Sequence, residues 1–132
     1  MTTRGLRGAT VAPQDQAEAI LQATRQLLQA ILDANPGLTP NDMGSILFTM
    51  TEDLTSAYPA QAARALGWEQ VPLMCAREID APSGLQRCIR VLIHWNTDRT
   101  QNAIHHVYLG EAARLRPDWS EENGKVGTCS VK

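Results

Sequence analysis

No stretch of the 132 residues approaches the roughly 18 apolar residues that a membrane span needs, and Met1-Thr2-Thr3-Arg4-Gly5-Leu6-Arg7-Gly8 lacks the apolar core of a secretory leader. A cytoplasmic protein is expected. Cysteine is scarce and odd in number: Cys75, Cys88 and Cys129 follow neither disulfide-scaffold nor zinc spacing. Free thiols in a reducing compartment are the simple reading, with no structural metal. His94, His105 and His106 make no helical HxxxH or HExxH pattern, so core, sheet-edge or solvent roles are expected of them. An excess of one charge is missing too. Twelve basic against 14 acidic residues leave a net charge of −2, which gives no footprint for nucleic acid or an anionic membrane. Arg4-Gly5-Leu6-Arg7-Gly8 occurs once in an acidic chain and does not make an RNA-binding arginine-glycine segment.

What is present is a composition 43% hydrophobic over a length that suits one compact domain. Arg4 to Thr10 reads as a strand, and Val11-Ala12-Pro13 as the first turn of a long helix. Ile20, Thr24, Leu27, Leu28, Ile31 and Leu32 form its apolar stripe, and Asn35-Pro36-Gly37 ends it. Thr39 to Asp42 is a connector, Ser45 to Thr51 a strand, and Tyr58 to Leu66 a short alanine-rich helix stopped by Gly67. Val71 to Ile79 and Cys88 to Trp95 are further strands, expected to be neighbours because Asp80-Ala81-Pro82-Ser83-Gly84 between them is a turn cluster. His105 to Leu109 is a short strand and Glu111 to Leu115 a helical turn. Residues 1–117 form the domain, and the polar 118–132 is expected to be a mobile tail. The whole is α+β, with about five strands and too few helices to cover both faces of the sheet. The uncovered face invites self-association, with sites where subunits meet.

Arg90 is the residue that asks for a function. It lies in Cys88-Ile89-Arg90-Val91-Leu92-Ile93, a run that reads as a strand buried on both faces, and a guanidinium there needs an anion. A protein carboxylate or a ligand could supply it. Glu78 could pair structurally with Arg90 or with Arg77. Arg7 could be an ordinary exposed strand arginine, and Cys75 a small buried hydrophobe, since no Cys-His arrangement activates it for nucleophilic hydrolysis. Cys75 and Glu78 have opposite parity on their strand, so they share a site only at a bulge or the strand end.

In order and spacing, several segments resemble the AroH-class chorismate mutases, a family of trimeric pseudo-α/β-barrel enzymes. They are Arg4-Gly5-Leu6-Arg7-Gly8-Ala9-Thr10, Asp53-Leu54, Tyr58-Pro59-Ala60 with Arg64, and Gly67-Trp68 before Val71-Pro72. Cys75 with Glu78, Gly84-Leu85, Cys88-Ile89-Arg90-Val91, His106-Val107-Tyr108-Leu109 and Leu115-Arg116-Pro117-Asp118 complete the set. The resemblance implies a unimolecular Claisen rearrangement of chorismate to prephenate on the route to phenylalanine and tyrosine. It implies no organic cofactor, no metal and no partner beyond a homotrimer.

By the same resemblance, Arg90 meets the ether oxygen, Arg7 and Tyr108 hold the enolpyruvyl carboxylate, and Glu78 and Cys75 approach the ring hydroxyl. Arg64 and Arg116 stand at the pocket mouth, and Tyr58, Ala60, Leu73 and Leu115 form walls. Gln61 stands where the family often has lysine, and Met74 where it often has threonine, which removes polarity near the ring carboxylate. A non-catalytic trimeric module binding a small carboxylate is the alternative; an acid among arginines, Glu78, argues against it.

Overall fold

A computed structural model describes residues 1–81 and 84–118; the expected turn at Pro82-Ser83 and the expected tail beyond Asp118 lie outside the described residues. The chain forms β1 (Thr2–Val11), α1 (Ala17–Ala34), β2 (Met43–Met50), α2 (Ala60–Ala65), β3 (Leu73–Arg77), β4 (Cys88–Thr97) and β5 (Val107–Tyr108). Single 3-10 turns occupy Pro40–Asp42, Gln101–Ala103 and Gly110–Leu115. The five strands make one mixed sheet in the order β3-β2-β4-β1-β5. β4 pairs antiparallel with β1 and β2, while β3 and β5 are parallel additions to β2 and β1.

This order corrects the expectation that the strands ending at Ile79 and beginning at Cys88 are neighbours. β2 lies between them. A strand, helix and parallel strand, β2-α2-β3, is a crossover unit, so β3 pairs with β2 on the edge away from β4.

The stripe on α1 explains its packing. Ile20, Ala23, Thr24, Leu27, Leu28 and Ile31 are buried; Leu27, Leu28 and Ile31 pack with Leu6, Ile46, Phe48, Val91, Ile93 and Trp95, and Ile20 and Ala23 with Met50, Leu54 and Ile89. The helix starts at Ala17, later than Pro13 suggested, because Asp15 is committed elsewhere. Its carboxylate accepts hydrogen bonds from the Thr55 and Ser56 amides and the Thr55 hydroxyl, an Asx-type clamp between two loops. Those donors, the Thr55 amide first, hold its pKa below the usual carboxylate value. Asn35 ends the helix and fastens it to the chain before β5: its amide donates to Ile31 and His105 carbonyls and its oxygen accepts the His105 amide.

Gly8 allows the close approach of α1. A Cβ there would lie 3.0 Å from both the Val107 carbonyl oxygen and Ile31 Cδ1. Gly67, at φ +94°, takes the left-handed conformation that stops α2, its amide bonding back to the Arg64 carbonyl.

The opposite face is only partly covered. At one end the turn Gly110–Leu115 packs Ala112 and Leu115 over Ala9, Cys88 and Tyr108. Beyond it Arg7, Leu47, Thr49, Arg90, Leu92 and His94 remain half-buried. β4 is therefore buried on one face within the chain, where the sequence pattern suggested both.

Candidate active site on the uncovered face

Three strands converge on Arg90. In the sheet register Arg90 stands opposite Ala9 on β1 and Thr49 on β2, while Arg7 stands opposite Leu92, so Arg7, Thr49 and Arg90 project from the same face. Glu78 joins them from just past the end of β3, where its amide donates to the Met50 carbonyl. Ordinary strand alternation puts Glu78 on the Arg90 face and leaves Cys75, of opposite parity, on the other. Glu78 Oε2 lies 3.3 Å from Arg90 Nη2, and Glu78 Oε1 accepts a 2.6 Å hydrogen bond from the Thr49 hydroxyl. Arg77 is not the partner of Glu78; its Nη1 donates to the Thr51 and Leu54 carbonyls.

Two clefts flank this pair. One of about 440 Å³ is lined by Thr51, Asp53, Leu85, Cys88 and Leu115, the other of about 310 Å³ by Arg7, Leu47, Thr49 and Leu92; Glu78 and Arg90 line both. Arg90 Nε is buried and has no hydrogen-bond partner among the described residues. A buried charged donor without an acceptor costs on the order of 1–3 kcal/mol, a cost that an incoming anion would remove.

The electrostatics around the pair come from burial and from the arginines. Arg7 lies 6.0 Å over the Tyr108 ring. Burial raises the Tyr108 pKa against the pull of Arg7, Arg90 and Arg116, so its hydroxyl remains a donor. Burial likewise raises the Cys88 thiol, making it a poor nucleophile despite Arg90 nearby. His106 is pushed down to about 4, first by burial and then by Arg7, Arg116 and His105. The neutral ring accepts the Arg7 amide on Nδ1 at 3.0 Å. Arg116 forms a two-point ion pair with Asp118, at 3.0 and 2.7 Å, which raises the pKa of its guanidinium.

The chain thus gathers Arg7, Glu78, Arg90, Tyr108 and Leu115, with Arg116 close enough to act on Tyr108. Met74, opposite Leu47 in the register, lies at the edge of this face, and the other residues marked by the sequence lie elsewhere. α2, which carries Ala60, Gln61 and Arg64, packs against α1 and β3 on the covered side. Ala60 is in the core, Gln61 and Arg64 are exposed, and Tyr58 and Met74 are 65% and 70% exposed. Leu73 and Cys75 pack against the α1-side core, since Cys75 pairs in register with Phe48 and Phe48 with Val91. The Cys75 side chain and Arg90 are thus on opposite faces of the sheet.

Three participants escaped the sequence reading. Thr49 is one of the polar residues alternating with core residues along β2, but its meaning needs β2 beside β4. His106 needs its register against Arg7. Asp53 accepts the Arg87 amide at 3.0 Å on both oxygens and so holds Arg87 at φ +50° at the entry to β4.

A mixed sheet with one helix-covered face, and an arginine–glutamate pair beside clefts on the other, defines a small α+β protein with a charge-lined candidate site. A family model described as chorismate mutase type I matches residues 3–119. The chain belongs to that family, and its function is that of a chorismate mutase. It is 54% identical to chorismate mutase AroH of Thermus thermophilus over 115 residues, covering 87% of this chain and 94% of that one. Against chorismate mutase AroH of Bacillus subtilis strain 168 it is 46% identical over 121 residues, covering 91% and 94%. A solved chorismate mutase from Clostridium thermocellum superposes with a TM-score of 0.81 at 46% identity, covering 84% of this chain and 98% of the other.

Proposed function

We propose that the chain rearranges chorismate to prephenate in aromatic amino acid biosynthesis by restraining the substrate and stabilising charge, with Arg90 at the reacting bond. The buried Nε of Arg90, without a hydrogen-bond partner among the described residues, carries this reading. The ether C–O bond breaks ahead of C–C bond formation, so the ether oxygen gains negative charge that the ground state lacks. A fixed guanidinium donor there binds the transition state better than the substrate.

Arg7 and the protonated Tyr108 hydroxyl hold the enolpyruvyl carboxylate, a charge-assisted grip that fixes the chair conformer. Glu78 accepts the ring hydroxyl. No proton moves in the rearrangement, so no general base is required. Arg116 guides the dianion once it exchanges its Asp118 partner for a substrate carboxylate.

The chain acts as a cytoplasmic homotrimer with each pocket between two subunits. What supports this is the separation of the two residue sets. Strands lie about 4.8 Å apart, so β3 and β5, at opposite edges of five strands, are roughly 19 Å apart along the sheet. One small dianion on the open face does not reach Gln61, Arg64 and Cys75 on the covered side, with Tyr58 bonded to Gln61, within one chain. A neighbouring subunit brings the covered-side set, together with Ala60 and Leu73 as its supporting walls. Half-buried Leu47 and Leu92 give the open face its apolar ground for that contact.

Purified protein should consume chorismate and produce prephenate without added metal or cofactor. Absence of turnover by demonstrably folded protein overturns the proposal.

A further inference from the structure

We propose that Thr49 is a positioning residue, whose hydroxyl restrains Glu78 to a single-point contact with Arg90 and so keeps Arg90 Nε available to substrate. This rests on the roles given above to Glu78 and Arg90. Thr49 on β2 stands directly opposite Arg90 in the register and lines the same cleft as Arg90 and Glu78. Its hydroxyl donates to Glu78 Oε1 at 2.6 Å, which leaves only Oε2 facing the guanidinium, on Nη2 at 3.3 Å.

A carboxylate beside an arginine ordinarily closes into a two-point fork, with one oxygen on each of two nitrogens. Here Oε1 is the oxygen that would complete such a fork, and its bond to the Thr49 hydroxyl turns it toward β2. Nε accordingly remains without a hydrogen-bond partner among the described residues. The Glu78 amide, bonded to the Met50 carbonyl, fixes the other end of the residue, so the carboxylate orientation rests on the Thr49 bond and the Arg90 contact alone among the described contacts. Without the hydroxyl, Glu78 is free to turn Oε1 onto Nε. The glutamate would then neutralise the group meant for the ether oxygen and lose the orientation that meets the ring hydroxyl.

The test compares kcat and KM for Thr49→Val, nearly isosteric and strand-compatible, with Thr49→Ser, which restores the hydroxyl. Losing a hydrogen bond to a charged group predicts a fall in kcat of about tenfold for Thr49→Val, with a smaller change in KM and most of the loss recovered by Thr49→Ser. The same substitution in a Glu78→Ala background is expected to cost nothing further, because Thr49 acts through Glu78. An equal loss in both backgrounds shows a general structural role and overturns the proposal, as does wild-type kcat for Thr49→Val. If Thr49→Val fails to fold, Thr49→Ala carries the same comparison. If Glu78→Ala itself leaves kcat unchanged, the role of Glu78 fails; if only Glu78→Ala is impaired, the role of Thr49 alone fails.

Discussion

The amide of Arg7 donates to Nδ1 of His106, so the strand that carries Arg7, proposed above to hold a substrate carboxylate, is fastened by a neutral imidazole. Protonating that nitrogen removes the acceptor and adds a cation beside Arg7 and Arg116. The folded pKa of about 4 lies below the ordinary value of 6.5, so between these the unfolded chain binds the proton and the folded one does not. Stability contributed by His106 is therefore complete above the unfolded pKa and falls as pH drops through the window. Urea unfolding midpoints across this range should show a steeper acid loss for wild type than for His106→Gln; identical profiles refute the assignment.

Arg90→Ala should lower kcat by about a thousandfold or more, with a much smaller effect on KM, because its contact strengthens as the C–O bond opens. Steady-state chorismate kinetics separate the two parameters. A change confined to KM makes Arg90 a binding residue only.

The pH profile of kcat should be nearly flat from about pH 6 to 9, since guanidinium groups do not titrate there and burial keeps the Tyr108 hydroxyl protonated. A steep rise near the ordinary histidine pKa of about 6.5 would reveal a general base.

Two inactive variants should rescue each other. Arg64→Ala and Arg90→Ala, co-refolded in equal amounts, are expected to regain activity in about one quarter of sites if each pocket draws one residue from each of two chains. No recovery in mixed trimers, verified by differential tagging, would place both residues in one chain's site.

Gly8→Ala should destabilise by about 1–3 kcal/mol, because its Cβ meets the Val107 carbonyl and Ile31 at 3.0 Å and the backbone side cannot yield cheaply. Gly5→Ala, whose nearest neighbour is 3.8 Å away, is the control. Equal thermal melts for the two variants would contradict the packing argument.

Element identity was legible where periodicity or punctuation was strong. Ile20 to Ile31 repeats at helical spacing, Asn35 and Gly67 stop helices, and Cys88 to Trp95 is too apolar for a loop. Strand order was not legible, because the turn residues after Ile79 say that the chain reverses without saying which strand receives it. The helix start was misread at Pro13 because a proline fits a first turn, while the competing Asp15 bond comes from residues 40 and 41 positions away. Within the site, Arg90 and Glu78 announced themselves as charges beside apolar neighbours. Thr49 did not, since a strand threonine acquires meaning only from what lies across the ladder. The resemblance supplied the α2 residues, Leu73 and Met74, which no single-chain property would have selected, while Cys75 stood out as a thiol on a strand.

If each pocket is shared between subunits as proposed, catalytic competence is a matter of mass action. A chain diluted until its neighbours leave would keep its sheet, its helix and its Arg90–Glu78 pair, and still possess no complete pocket. Specific activity should then depend on enzyme concentration, and the association constant between subunits would set the lowest concentration at which a cell can run this reaction.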